Sequence, residues 1–266
     1  MFQLCLGEKK SVKRTYLYNN MTGNYHKHYS SNLQRDMEYM TYGDTGRPVL
    51  VIPSQDGRYF DYDNFGMTDV LAPWIESGRI RLICSDSIDG ETWSNANGDG
   101  AQRAARHEAW FRYITEELIP TVQEYEGQTM IITGCSMGAY HSANFFLRRP
   151  DLFDSLVALS GVYRKDYFFG DYMDDTLYLN SPLHYLYNMP SNHPYWQLYR
   201  ERNMILCVGQ GSWEEDMIRD TREMQQIMAA QNVPVWIDFW GYDVAHDWPW
   251  WRKQIVYFLP KVLAED

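Results

Sequence analysis

Long apolar runs are missing from this sequence. No segment approaches the roughly 20 residues that a membrane-spanning helix needs, and the opening stretch Met1 to Lys10 has too few apolar residues for the core of a secretory signal. A cytoplasmic protein is therefore expected. Basic charge is also scarce: 24 lysines and arginines stand against 35 aspartates and glutamates, a net charge of −11. Such a surface repels polyanions, which argues against nucleic acid or an anionic membrane as partner.

Cysteine is sparse and scattered. Cys5, Cys84, Cys135 and Cys207 have no metal-ligand spacing, and the last three sit in or beside apolar strand-like runs, so buried free thiols are expected rather than disulfides or a zinc site. His26 and His28 flank Lys27 on what reads as an exposed strand, with no local carboxylate or third ligand for a metal. There is no Gly/Ser/Pro-rich linker and no repeat, so residues 1–266 read as one domain long enough to bury a large core.

What the chain does contain is an ordered alternation. Residues 1–45 read as antiparallel strands, with Val12 to Tyr18 and Leu33 to Tyr42 carrying the apolar content. From Arg47 onward, short β-branched runs at 48–52, 79–84, 129–133, 155–160, 204–208 and 234–239 are separated by segments with helical spacing. Those segments are Met67 to Glu76, Gln102 to Tyr125 with a bend at Pro120, the stretch to Leu147, Asp216 to Ala230, and Trp250 to Leu263 with a bend at Pro260. Repeated β-α-β order predicts an α/β protein with a mainly parallel central sheet and helices on both faces.

Residues 162–203 break the pattern. The stretch is long and rich in tyrosine, and it is expected to form short helices that cap the C-terminal edge of the sheet and shape a pocket. Most of its aromatics are expected to pack the insertion onto the body. Tyr163 and His184 in this segment, and Trp93 in the polar loop 85–100, are candidates for contact with a substrate; His193 falls in the same insertion. The aromatic surface would equally serve a second copy of the chain, so a monomer and a homo-oligomer both fit.

The chemistry centres on Gly134-Cys135-Ser136-Met137-Gly138, which follows an apolar strand and opens a helix. That order is what a nucleophile elbow requires: a sharp turn lifts the serine hydroxyl out of the sheet, the glycines remove β-carbons that would collide, and the helix N-terminus faces the same point. The N–H of Met137 is then a donor for a developing oxyanion. Cys135 should point away from the cleft.

A serine hydroxyl needs a base, and the base needs an acid to fix its tautomer. His246, in the loop after the last strand, is the best placed of seven histidines, whereas His107 and His141 lie within helices and read as structural. The acid should follow the penultimate strand, where Glu214, Glu215 and Asp216 are adjacent and the residues alone do not separate them.

The elbow, the late acidic loop and the ending His246-Asp247-Trp248 with Trp251 together resemble the esterase family of α/β-hydrolases that includes esterase D, feruloyl esterases and mycolyltransferases. The likeness spans about residues 45 to 264. It implies an α/β-hydrolase fold, a small-molecule ester substrate, and no metal or organic cofactor. It also points to Glu215 as the triad acid, with Glu214 as the alternative. Relatives often have a His-Gly pair after the first parallel strand, where this chain has Ser54-Gln55-Asp56-Gly57; the second oxyanion donor is expected from the backbone of Gln55. An ester hydrolase is the favoured reading, ahead of an acyltransferase with the same triad and of a non-catalytic binding protein.

Overall fold

The computed structural model describes residues 22–264. Eight strands form one sheet in the order β1-β2-β4-β3-β5-β6-β7-β8: β1 (Asn24–Ser30), β2 (Arg35–Tyr42), β3 (Arg47–Ile52), β4 (Ile80–Ser85), β5 (Met130–Cys135), β6 (Phe153–Leu159), β7 (Asn203–Val208) and β8 (Trp236–Phe239). The pairs β1/β2 and β2/β4 are antiparallel and every other pair is parallel. The expected strand at Val12 to Tyr18 lies outside the described residues.

Two-residue periodicity decides how the sheet is covered. Leu50, Ile52, Met130, Ile132, Leu156 and Leu206 point to one face, where they pack with Trp110, Phe145, Phe146, Tyr185 and Trp196. Their alternates Val49, Val51, Ile131, Cys135, Val157 and Ile205 point to the other, against Met67, Leu71, Trp251, Ile255 and Phe258. The first face carries helices Gly100–Arg112, Met137–Arg148 and Glu215–Ala230; the second carries Met67–Glu76 and Trp248–Val262. Both sides being apolar, the central strands read as continuous hydrophobic runs.

Proline acts differently at its two expected bends. Upstream of Pro120 the helix widens into a π-helical stretch, Tyr113–Leu118, before resuming over Ile119–Val122 and ending. A ring that lacks an N–H and crowds the preceding turn accounts for the widening. The closing helix instead starts at Trp248, with the Asp247 side chain accepting the Trp248 N–H, and runs through Pro260 to Val262.

The insertion forms four short helices, Asp166–Phe169, Asp175–Leu179, Pro182–Asn188 and Tyr195–Arg200. It is less of a lid than expected. Since β6 and β7 are parallel, the segment must travel from the end of one to the start of the other, so only its first part borders the C-terminal edge of the sheet. The remainder runs along the helical layer. There the Tyr199 hydroxyl donates to the Leu147 carbonyl and Arg202 Nε to that of Pro150, at the far end of helix Met137–Arg148.

Candidate active site

Ser136 stands at the turn between β5 and helix Met137–Arg148 with φ 58° and ψ −121°, a conformation that an L-residue holds only when its surroundings force it. The surroundings are visible. The Ser136 N–H donates to the Leu159 carbonyl at 2.9 Å, which extends the pairing with β6, and the Ala139 N–H reaches back to the Ser136 carbonyl at 3.0 Å. A β-carbon on Gly134 would lie 2.3 Å from the Gly138 carbonyl oxygen, and one on Gly138 would lie 2.4 Å from that of Ile52. Only glycine fits either place. Cys135 points into the core, where burial pushes its thiol pKa well up, so it is no competing nucleophile.

The Ser136 Oγ lies 2.8 Å from His246 Nε2, and His246 Nδ1 lies 3.3 Å from Glu214 Oε2. Glu214 is wholly buried. Its second oxygen, Oε1, accepts from the Ser160 hydroxyl at 2.6 Å, and the Ser160 oxygen in turn accepts from Trp251 Nε1 at 3.0 Å. The Trp251 ring also packs edge-on against His246, with centroids 4.9 Å apart. One tryptophan therefore touches the imidazole directly and the carboxylate through a hydroxyl.

These partners come from separate loops that are laced together. Gly211 N–H donates to Val244 O at 2.8 Å, His246 N–H to Ser212 O at 3.0 Å, and Gln210 N–H to Gly241 O at 3.2 Å. The approach is close enough that a β-carbon on Gly209 would sit 2.1 Å from the Val244 carbonyl oxygen. The Gly-x-Gly spacing at 209–211 was the available sign of this contact in the sequence. Nothing in residue type singled out Ser160.

Glu215, the expected acid, is not the residue brought to His246. It opens helix Glu215–Ala230, is exposed, and lines a groove of about 640 Å³ with Leu186, Tyr187, Ile218 and Arg222, a groove that Ser136 and His246 do not line. The exchange follows from Trp213, which adopts a left-handed φ of 68° and projects its ring into solvent at 81% exposure, so that the next side chain turns inward. Tryptophan seldom takes that conformation, and nothing in the neighbouring residues marks it.

Two of the candidate substrate contacts are closed off. Trp93 is 1% exposed, donates from Nε1 to His107 Nδ1 at 3.0 Å, and is packed by Tyr140, Phe168 and Phe169. Tyr163 is fully buried in the main core. Large aromatic rings at both places gain more from core burial than from an open cleft. His184 is half-buried on Pro182–Asn188, its pKa is lowered by desolvation, and its buried Nδ1 has no partner among the described residues.

The N–H groups of Met137 and Gln55 make no hydrogen bond within the described residues. Gln55 lies in the loop after β3, which touches the elbow because a Gly138 β-carbon would also meet Pro53 O at 2.5 Å. Its side chain donates to Ser94 Oγ at 2.9 Å, which leaves the backbone as the group free to act. Among the described residues no cluster of three or more His, Cys, Asp or Glu side chains could hold a metal ion, and no helix is long and apolar enough to cross a membrane.

The family model described as "Putative esterase" matches residues 30–262. The chain belongs to this family. By class it is thus a serine ester hydrolase, with Ser136 on the elbow. Among solved structures the fold is similar to a ferulic acid esterase, at 17% identity and a TM-score of 0.71 over 91% of this chain and 97% of that one. It is also similar to an S-formylglutathione hydrolase from Agrobacterium tumefaciens (13%, 0.70, 92% and 98%) and to a fluorophosphonate-binding serine hydrolase from Staphylococcus aureus (15%, 0.68, 91% and 98%). No curated protein matches the chain.

Proposed function

We propose that this esterase cleaves a small carboxylic ester through a Ser136-His246-Glu214 triad and an acyl-enzyme. The observation that carries the reading is the continuous set of contacts from Ser136 Oγ through His246 to the buried Glu214. Ser136 donates its proton to His246 Nε2 as its oxygen adds to the ester carbonyl, and the Nδ1–H of the imidazolium is held by Glu214. The oxyanion is received by the N–H groups of Met137 and Gln55, assisted by the positive end of helix Met137–Arg148. The tetrahedral adduct expels the alcohol, which takes the proton from His246. Water, deprotonated by the same histidine, then releases the acid and restores Ser136.

The buried carboxylate favours this reading over a non-catalytic one, since a wholly buried ionisable group needs partners and here one partner is the histidine beside the nucleophile. The free, buried thiols of Cys84 and Cys207 support a cytoplasmic setting. The test is labelling with a fluorophosphonate probe and hydrolysis of a short p-nitrophenyl ester, with Ser136→Ala alongside. Both signals are expected from the wild-type protein and neither from the variant; labelling that survives the substitution rejects the nucleophile.

A further inference from the structure

We infer that Asp89 is a positioning residue for the oxyanion loop, an inference that rests on the proposed role of the Gln55 N–H. Asp89 lies in the turn after β4, remote in sequence from every residue of the triad, and is 1% exposed. Its Oδ1 accepts from His141 Nε2 at 3.0 Å, and His141 stands one helical turn beyond the elbow on helix Met137–Arg148. Its Oδ2 accepts from the Asp56 N–H at 3.2 Å, in the residue that follows Gln55. One carboxylate thus joins the nucleophile helix to the loop proposed to carry the second donor.

The loop needs such a hold. Asp56 has a left-handed φ of 56°, and the turn closes with the Gly57 N–H on Ser54 O at 2.8 Å. A second tie runs in parallel: Gln55 Nε2 donates to Ser94 Oγ at 2.9 Å, while the Ser94 N–H donates to the backbone oxygen of Asp89 at 2.8 Å. His141 is itself held by ring contacts with Trp110 and His107, each 5.0 Å between centroids. A buried carboxylate persists only when its oxygens are engaged, and here both are engaged by the two segments whose spacing fixes where a donor points. An oxyanion donor acts through being preorganised, so losing the bridge should weaken transition-state binding more than substrate binding.

The experiment compares Asp89→Ala and Asp89→Asn with wild type and Ser136→Ala, using a short p-nitrophenyl ester and inhibition by phenylboronic acid, whose tetrahedral adduct with the serine places an oxygen where the oxyanion forms. For Asp89→Ala we expect kcat to fall about 10- to 100-fold and boronate affinity to weaken in proportion, with KM within about two-fold. Asp89→Asn, which keeps an acceptor for Asp56, should recover most of the loss. A folded Asp89→Ala protein with unchanged kcat and boronate affinity overturns the inference, as does equal damage in the Asn variant. Should Asp89→Ala not fold, the decision passes to Ser94→Ala, which cuts the parallel tie at a half-buried position: an unchanged kcat counts against the loop being held from this turn, and a several-fold loss at constant KM supports it. Absence of Ser136-dependent hydrolysis in the wild type is a separate result and would reject the triad instead.

Discussion

Glu214 Oε2 lies 3.3 Å from His246 Nδ1, while Glu215, the next residue, faces solvent from the first turn of its helix. Two adjacent and chemically identical side chains therefore occupy opposite environments. Glu214→Gln is expected to lower kcat on the order of 10² to 10⁴-fold by mis-setting the histidine tautomer, and Glu215→Gln to leave it within about two-fold. Steady-state kinetics on one ester decides this, and comparable losses in both variants would return the acid to an open question.

The Trp251 N–H, the Ser160 hydroxyl and Glu214 Oε1 form a short chain behind the histidine. Each hydrogen bond is worth about 0.5–1.5 kcal/mol, so Ser160→Ala and Trp251→Phe should each lower kcat roughly 2- to 10-fold with little change in KM. The two effects share one path. The double variant should lose less than the product of the single losses, and strict multiplicativity in a double-mutant cycle would show that the residues act independently.

Gly138 has no room for a side chain, since an added β-carbon falls 2.4 Å from the backbone oxygen of Ile52, at the end of β3, and 2.5 Å from that of Pro53, in the loop after it. Gly138→Ala should destabilise the protein by about 3 kcal/mol or more and displace the loop after β3 as well. Gly127, with a positive φ of 79° and nothing within 4 Å of its added β-carbon, is the matched control. Gly127→Ala should cost only about 1–2 kcal/mol, the price of a left-handed backbone. Thermal unfolding of the pair checks the contrast, and equal shifts would refute the steric account.

Burial holds the His107 pKa well below its ordinary value, and His184 is lowered for the same principal reason. In both cases the unfolded chain takes up a proton near pH 6.5 that the folded state resists. Stability should therefore fall as pH drops below about 6.5, by up to ~1.4 kcal/mol per unit for the fully buried His107 and by less for the half-buried His184. Urea midpoints at pH 7.5, 6.5 and 5.5 measure this slope. His107→Gln should flatten it, and a wild-type midpoint that does not move would mean that His107 is protonated in place.

Much of the fold was legible because it rests on local pattern. The β-branched runs at 48–52, 79–84 and 204–208 form strands within a residue of their expected limits, and Met67–Glu76 forms the helix that its spacing predicts. The elbow was legible for a related reason: strand, glycine, serine, glycine and helix are contiguous, and the collision avoided at Gly134 is with Gly138 in the same turn, although that avoided at Gly138 is with Ile52 and Pro53. The insertion was legible in content but not in course, because its path along the helical layer follows from the parallel direction of β6 and β7 rather than from its own residues.

Composition and periodicity, then, were enough to determine an α/β sheet covered on two sides, a serine at its central turn and a histidine after its last strand. Tertiary structure alone decided which glutamate meets that histidine, that Trp93 and Tyr163 belong to the core, and that Ser160 and Asp89 hold groups far from them in the chain. The division has one cause. Hydrophobic period and turn chemistry act between near neighbours and leave a mark in the residue order, whereas the direction of a side chain after a left-handed tryptophan, or the two partners of a buried carboxylate, depend on segments that meet only once the sheet has assembled.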